Sequence, residues 1–116
     1  FGGWSCHGQA LARWRRGMVG WNGPELLRIQ GELLLLQGNP GAAAAAQASF
    51  MEALALARKQ QAHAWALRAS NSLARLWVAD GRCGDARHLL ESWLPRLPAM
   101  GDSADAAETR LLLDGC

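Results

Sequence analysis

The chain has 116 residues, of which half are apolar and 19% are charged, and its formal net charge is +2. This length fits one domain, and the apolar half is enough for a hydrophobic core rather than a disordered chain. The small net charge gives no reason to expect a polyanionic partner such as nucleic acid. No apolar run approaches the roughly 20 residues of a membrane-spanning helix, so a transmembrane protein is not expected.

The composition predicts an all-α protein. Val, Ile and Thr favour strands, and the whole chain contains only Val19, Ile29, Val78 and Thr109 of these types. Ala and Leu dominate the rest, together with Arg, Gln and Glu, and all of these favour helices.

The first segment, residues 1–22, is predicted to hold a helix that flanks the rest of the fold. Its large apolar side chains recur at helical spacing and share one face, which consists of Trp4, Leu11, Trp14 and Met18. A wide apolar face at the end of a fold has to be covered, which is why repeat proteins carry polar caps on their terminal repeats. This face is therefore expected to fold back on the next helix or to pair with a second copy, and we favour self-association.

Helices are then predicted in two pairs, with a short capping helix behind them, over residues 24–60, 62–98 and 102–114. Asn39 is expected to be the N-cap of the second helix of the first pair, followed by Pro40 in its first turn. Pro95 and Pro98 are expected to stop the last helix of the second pair. Asp102 or Ser103 can cap the final helix.

The two pairs resemble each other in sequence. Each has a small residue seven positions before a Gly turn, and then an Ala four positions before a large apolar residue. The matched residues are Gly31 with Ala74, Gly38 with Gly81, Ala46 with Ala86 and Phe50 with Leu90. Antiparallel helices approach closely only where small residues meet, so we expect tight helix–helix contacts at Gly31 and Ala74. The spacing is that of the tetratricopeptide repeat.

Three stretches carry a resemblance to a known family. They are PELLRIQGELLLLQG at 24–38, ALALAR at 53–58 and SLARLW at 72–77. They resemble the C-terminal tetratricopeptide region of large bacterial signalling ATPases, which include transcriptional regulators with a winged-helix domain and relatives with adenylate-cyclase-like domains. The resemblance covers about residues 21–114. It implies a short right-handed solenoid of antiparallel helical hairpins that serves protein–protein interaction in a signalling or transcriptional regulator.

The resemblance also implies a binding groove, because the first helix of each tetratricopeptide pair lines a concave surface. The polar residues on those helices are Glu25, Arg28 and Glu32 in the first pair and Arg68, Asn71, Ser72 and Arg75 in the second. Arg binds carboxylates with two hydrogen bonds, and Asn can bond a peptide backbone. These seven residues are the candidate site for another protein, a peptide or another domain of a larger parent chain. The alternative is a solvated helix face with local ion pairs.

Two other functions stay open at this point. A helical-repeat RNA-binding protein would use a set of basic residues consisting of Arg13, Arg15, Arg16, Arg68 and Arg75. A small-ligand sensor would use some of the six tryptophans. The low net charge argues against RNA.

The three cysteines, Cys6, Cys83 and Cys116, are an odd number in a chain that is not rich in cysteine. This fits a reducing cytoplasm better than a disulfide scaffold, so a cytoplasmic protein with reduced cysteines is expected. No Cys or His pair has the spacing of a zinc site, and the glycines do not form a phosphate-binding loop. We therefore expect no enzyme activity, no metal and no cofactor.

Overall fold

The computed structural model describes residues 23–101 and 103–116, and all the regular secondary structure in this part of the chain is helical, without strands. The elements are α1 (Gly23–Gln37), α2 (Ala42–Lys59), α3 (His63–Ala79), α4 (Cys83–Glu91), a 3₁₀-helix (Leu94–Met100) and α5 (Ala104–Asp114). The predicted all-α class is thus confirmed for the described residues. The first predicted helix, with its apolar face of Trp4, Leu11, Trp14 and Met18, lies outside them.

The central helix of the fold is α3. It packs against α2 and α4, its neighbours in the chain, and also against α1 and α5. Short turns at residues 38–41, 60–62 and 80–82 join the first four helices, so consecutive helices fold back on one another as helical hairpins. This arrangement brings α1 and α5 to the flanks of α3, and the candidate site lies there.

Gly31 lies at the closest approach of the first two helices. A Cβ atom at this position would stand 2.5 Å from Cε1 of the Phe50 ring, which is completely buried. Only glycine fits there without a shift of that ring. The matched Ala74 is also fully buried and packs with Ala86 and Leu90. Both tight contacts predicted from the sequence are therefore present.

The predicted N-cap of α2 is wrong. The helix begins at Ala42 and its N-cap is Gly41, whose φ of 80° is in the left-handed region. The backbone N–H of Ala42 donates to the carbonyl of Asn39 over 2.9 Å. Asn39 and Pro40 therefore belong to a turn that comes before the helix, and the glycine supplies the positive φ that this turn requires.

Pro95 and Pro98 do not end helical structure, contrary to expectation. The α4 helix stops earlier, at Glu91, and a 3₁₀-helix then contains both prolines. Leu97 holds this segment against the core, because its side chain is buried there beside the buried Trp93. The segment that follows begins as expected, because the side chain of Ser103 accepts a hydrogen bond from a backbone N–H in the first turn of α5.

Candidate helix-binding surface on α3

Four polar residues of α3 form one continuous line, which we call the α3 strip: Arg68, Asn71, Ser72 and Arg75. Their spacing of three, one and three residues places them along one face of the helix. Glu25, Arg28 and Glu32 of α1 contact this line from one side. The structure therefore brings together all seven residues that the sequence nominated.

The two arginines of the α3 strip each lie between two carboxylates. Arg68 is paired with Glu25 of α1, and on its other side its Nη2 is 3.2 Å from Oδ2 of Asp105 in α5. Its Nε is 3.3 Å from both oxygens of Asp105, so the guanidinium grips that carboxylate through two nitrogens. This planar, two-pronged geometry is the one for which arginine is suited and lysine is not.

Arg75 repeats the arrangement two turns further along α3. Its Nη2 is 3.0 Å from Oε1 of Glu32 in α1, and its Nη1 contacts the carboxylate of Glu108 in α5. The same Nη2 donates to the buried hydroxyl oxygen of Ser72 over 3.2 Å. Nη1 of Arg28 reaches this oxygen from α1 at 3.4 Å, so Ser72 links the arginines of two helices.

Asn71, between the arginines, contacts both the backbone and a side chain of α5. Its Nδ2 donates to the carbonyl oxygen of Asp105 over 2.9 Å, and its Oδ1 accepts from the Thr109 hydroxyl over 2.7 Å. Asn71 and Thr109 are both completely buried. Buried polar groups are costly unless they are bonded, so this pair specifies where α5 docks along α3.

The charges of the site stabilise one another in their ionised forms. Burial alone would raise the pKa of Glu25, but hydrogen bonds from Arg28 and Arg68, and their positive charges, outweigh it and lower this pKa. The hydrogen bond to Asp105, followed by the one to Glu25, raises the pKa of Arg68 although burial opposes it. Burial would lower the pKa of Arg75, but Glu108 and Glu32 raise it on balance. The site is therefore a set of ion pairs rather than a proton-transfer centre.

Three of the residues that α3 contributes to the nominated site already contact another helix of the chain, α5. Arg68, Asn71 and Arg75 make these contacts with Asp105, Glu108 and Thr109, which were not nominated. Asp105 and Glu108 follow Arg68 and Arg75 by 37 and 33 residues, and neither interval is the 40 to 43 residues by which the two helical pairs are offset, so the repeat spacing did not reveal them.

A disulfide bond joins Cys83 and Cys116, whose Cα atoms are 5.8 Å apart. The expectation of reduced cysteines is therefore wrong for this pair, while Cys6 lies outside the described residues. Cys83 is the first residue of α4, and Cys116 lies two residues beyond the end of α5. The pairing was not foreseeable because a separation of 33 residues forms no local motif, and only the packing of α5 brings the two together.

A second feature of the surface is an apolar stripe on α1. Ile29, Leu33 and Leu36 are 40%, 54% and 82% exposed. Their spacing of four and three residues places them on one face, whereas Leu27 and Gly31 of the same helix are buried. Three large apolar side chains that are exposed on one helix face are a common mark of a surface that contacts another element.

Trp77, one of the six tryptophans, is engaged within the protein. Its indole N–H donates to Oε1 of Gln47 over 3.1 Å, and the guanidinium carbon of Arg82 lies 4.9 Å from its ring centroid. The buried Trp93 likewise donates its N–H to the hydroxyl of Ser70 over 2.9 Å. Both tryptophans therefore serve interhelical packing.

Across residues 23–101 and 103–116, no group of three or more His, Cys, Asp or Glu side chains is placed to hold a metal ion. No helix in this part of the chain is long and apolar enough to cross a bilayer. Comparisons of the chain with protein-family models, curated proteins and solved structures found no match. No family is therefore shown for this protein.

Proposed function

We propose that the chain is a protein-interaction module, a regulatory or scaffolding part of a bacterial signalling or transcriptional regulator, and that its α3 strip binds an acidic helix of a partner. The observation that supports this is the docking of α5. Arg68 and Arg75 hold two of its carboxylates, and Asn71 holds its backbone and its Thr109 hydroxyl. The same contacts are available to any helix that presents the same groups.

The contacts of α5 define the chemistry of the expected partner. Its two carboxylates are three residues apart, and each is followed directly by a small side chain that is completely buried, Ala106 and Thr109. Without α5, the surface keeps Arg28, Arg68 and Arg75 against only two carboxylates, and so has a positive excess that attracts an acidic helix. The partner class is therefore a helix with an acid–small–x–acid–Thr/Ser pattern.

The helix arrangement that we propose is a short right-handed solenoid of the tetratricopeptide type. The packing of α1 and α5 on the two flanks of α3, with α2 joined to α1 and α4 to α3 as hairpins, supports it. In such arrays the partner runs along the first helices of the pairs, and here these are α1 and α3. This surface would face other proteins or other domains of a parent regulator.

The RNA-binding alternative is less well supported. Arg68 and Arg75 are the only described residues of the five basic residues it requires, and each already contacts two carboxylates. Binding to phosphates would have to break these ion pairs, which lowers its net gain. We therefore retain the protein partner.

Binding of a synthetic peptide tests this function. The probe is a fluorescently labelled peptide with the sequence of residues 103–115, and the receptor is the full chain with Asp105→Lys and Glu108→Lys, measured in reducing buffer. The lysines repel Arg68 and Arg75, so the attached α5 competes poorly. Fluorescence anisotropy is expected to show saturable binding that weakens with salt.

The matched control is the same peptide carrying both lysine substitutions, which should bind at least tenfold more weakly. A second control receptor adds Lys59→Glu, a change at an exposed lysine in the last turn of α2 outside the strip, and should bind as before. No binding of the acidic peptide, or equal binding of both peptides, would refute the proposed function.

A further inference from the structure

The disulfide between Cys83 and Cys116 ties down the helix that fills the α3 strip. It closes a loop that contains α4, the 3₁₀-helix and α5. At one end α5 follows the 3₁₀-helix, whose Leu97 is anchored in the core, and at the other end it is bonded to the start of α4. While the bond is intact, α5 is held at both ends.

Apart from this bond, the buried anchors of α5 are the hydrogen bonds of Asn71 to Asp105 and Thr109 and a small apolar contact. Its completely buried side chains are the small Ala106 and Thr109, and its Leu111 is 72% exposed. Leu112 and Leu113 are only partly buried where they pack against the cluster around Leu90. Its ion pairs use arginine side chains that are 40% exposed, and pairs so open to solvent stabilise little.

We propose that the Cys83–Cys116 disulfide is a redox latch on this surface, which decides whether α5 or a partner's acidic helix occupies the α3 strip. This inference rests on the proposed function. The reductant is a dithiol: its two thiols give up two electrons and two protons and become a disulfide. The sulfur–sulfur bond breaks, and Cys83 and Cys116 each gain a proton and become thiols. Both residues are partly exposed, so a reductant can reach them.

The latch acts through the competition between an attached and a free helix. A segment tethered next to its site competes as if present at a concentration on the order of millimolar. When the bond opens, α5 keeps only one attachment, and the strip is free for a larger fraction of the time. The affinity of a partner rises by the same factor as that fraction. In a reducing compartment the surface is thus receptive, and oxidation closes it.

Hydrogen exchange and peptide binding, measured on the same samples, test the latch. The samples are the full chain oxidised, the full chain reduced with a dithiol, and the variants Cys116→Ser and Cys6→Ser. Reduction or Cys116→Ser is expected to speed exchange in residues 104–114 at least tenfold while leaving α2 unchanged. The labelled acidic peptide is expected to bind these open forms at least tenfold more tightly than the oxidised chain. Cys6→Ser retains the latch and should behave as the unsubstituted chain in both redox states.

The outcomes separate the latch from the function. Equal peptide affinity in both redox states overturns the latch, and the function stands if the chain with Asp105→Lys and Glu108→Lys still binds the peptide. Failure of that receptor as well overturns the function. Faster exchange in α2 on reduction also overturns the latch, because the bond would then stabilise the whole fold rather than the position of α5.

Discussion

Asn71 of α3 and Thr109 of α5 satisfy each other's polar groups inside the core, because the Thr109 hydroxyl donates to Oδ1 of Asn71 over 2.7 Å and neither residue is exposed. Thr109→Val keeps the shape of the side chain but leaves Oδ1 without this donor. An unsatisfied buried acceptor costs about 1–3 kcal/mol, and we expect this loss in the free energy of unfolding from urea denaturation.

The double variant Asn71→Leu with Thr109→Val is the matched comparison for this pair. It removes both partners, so it should lose less stability than the sum of the two single variants. Strict additivity would show that the hydrogen bond does not couple α3 to α5.

Gly31 allows α1 and α2 to approach at the Phe50 ring, and Gly31→Leu should overpack this contact. The first added atom alone would stand 2.5 Å from the ring, which cannot move freely because it is buried. We expect a loss of about 1–3 kcal/mol in the free energy of unfolding. Gly84→Leu is the control, because nothing lies within 4 Å of an added Cβ there. Equal effects at the two positions would mean that the close approach is not the cause.

The pH dependence of stability should carry the mark of Glu25. Its pKa is lower in the folded protein than in the unfolded chain, so the unfolded chain binds more protons between the two values. The stability from this group is present above its ordinary pKa, near 4.5, and is lost as the pH falls through the lower folded value. Glu25→Gln should therefore flatten the acid side of the stability profile, whereas Glu91→Gln, at an exposed site, should not. Parallel profiles of the unsubstituted chain and Glu25→Gln would contradict this.

We expect copies of the chain to associate through two apolar faces, the stripe on α1 and the predicted face that includes Trp14. We expect a sedimentation mass above that of one chain at micromolar concentration, and a reduction to one chain with Trp14→Glu or Leu36→Glu. Leu36 is 82% exposed, so its replacement should not affect the core. A single-chain mass for the unsubstituted protein would leave both faces without this role.

Features that depend on local spacing were predictable from the sequence. The tight helix–helix contact at Gly31 follows from matching two helical pairs, and the helix class follows from the scarcity of β-branched residues. Within each helix the polar residues of the site share one face at fixed intervals, whereas the resemblance, and not the spacing, implied that the two helices line one surface. None of these inferences needs the relative position of distant segments.

Features that depend on the docking of α5 were not predictable in the same way. Arg68 to Asp105 and Arg75 to Glu108 are contacts between residues 37 and 33 positions apart, and only the packing of α5 on α3 creates them. The same holds for Cys83 and Cys116. The turn at Asn39 was missed for a different reason, because a good N-cap residue is also a good turn residue.

A charge exchange between receptor and peptide tests most directly whether the α3 strip recognises an acidic helix. The full chain with Arg68→Glu and Arg75→Glu, in reducing buffer, is titrated with the peptide of residues 103–115 in its native form and in the form with lysine in place of Asp105 and Glu108. Our account predicts that this receptor binds the lysine peptide and rejects the native one. This is the reverse of the preference that we predict for the receptor with Asp105→Lys and Glu108→Lys. The same preference in both receptors would contradict it.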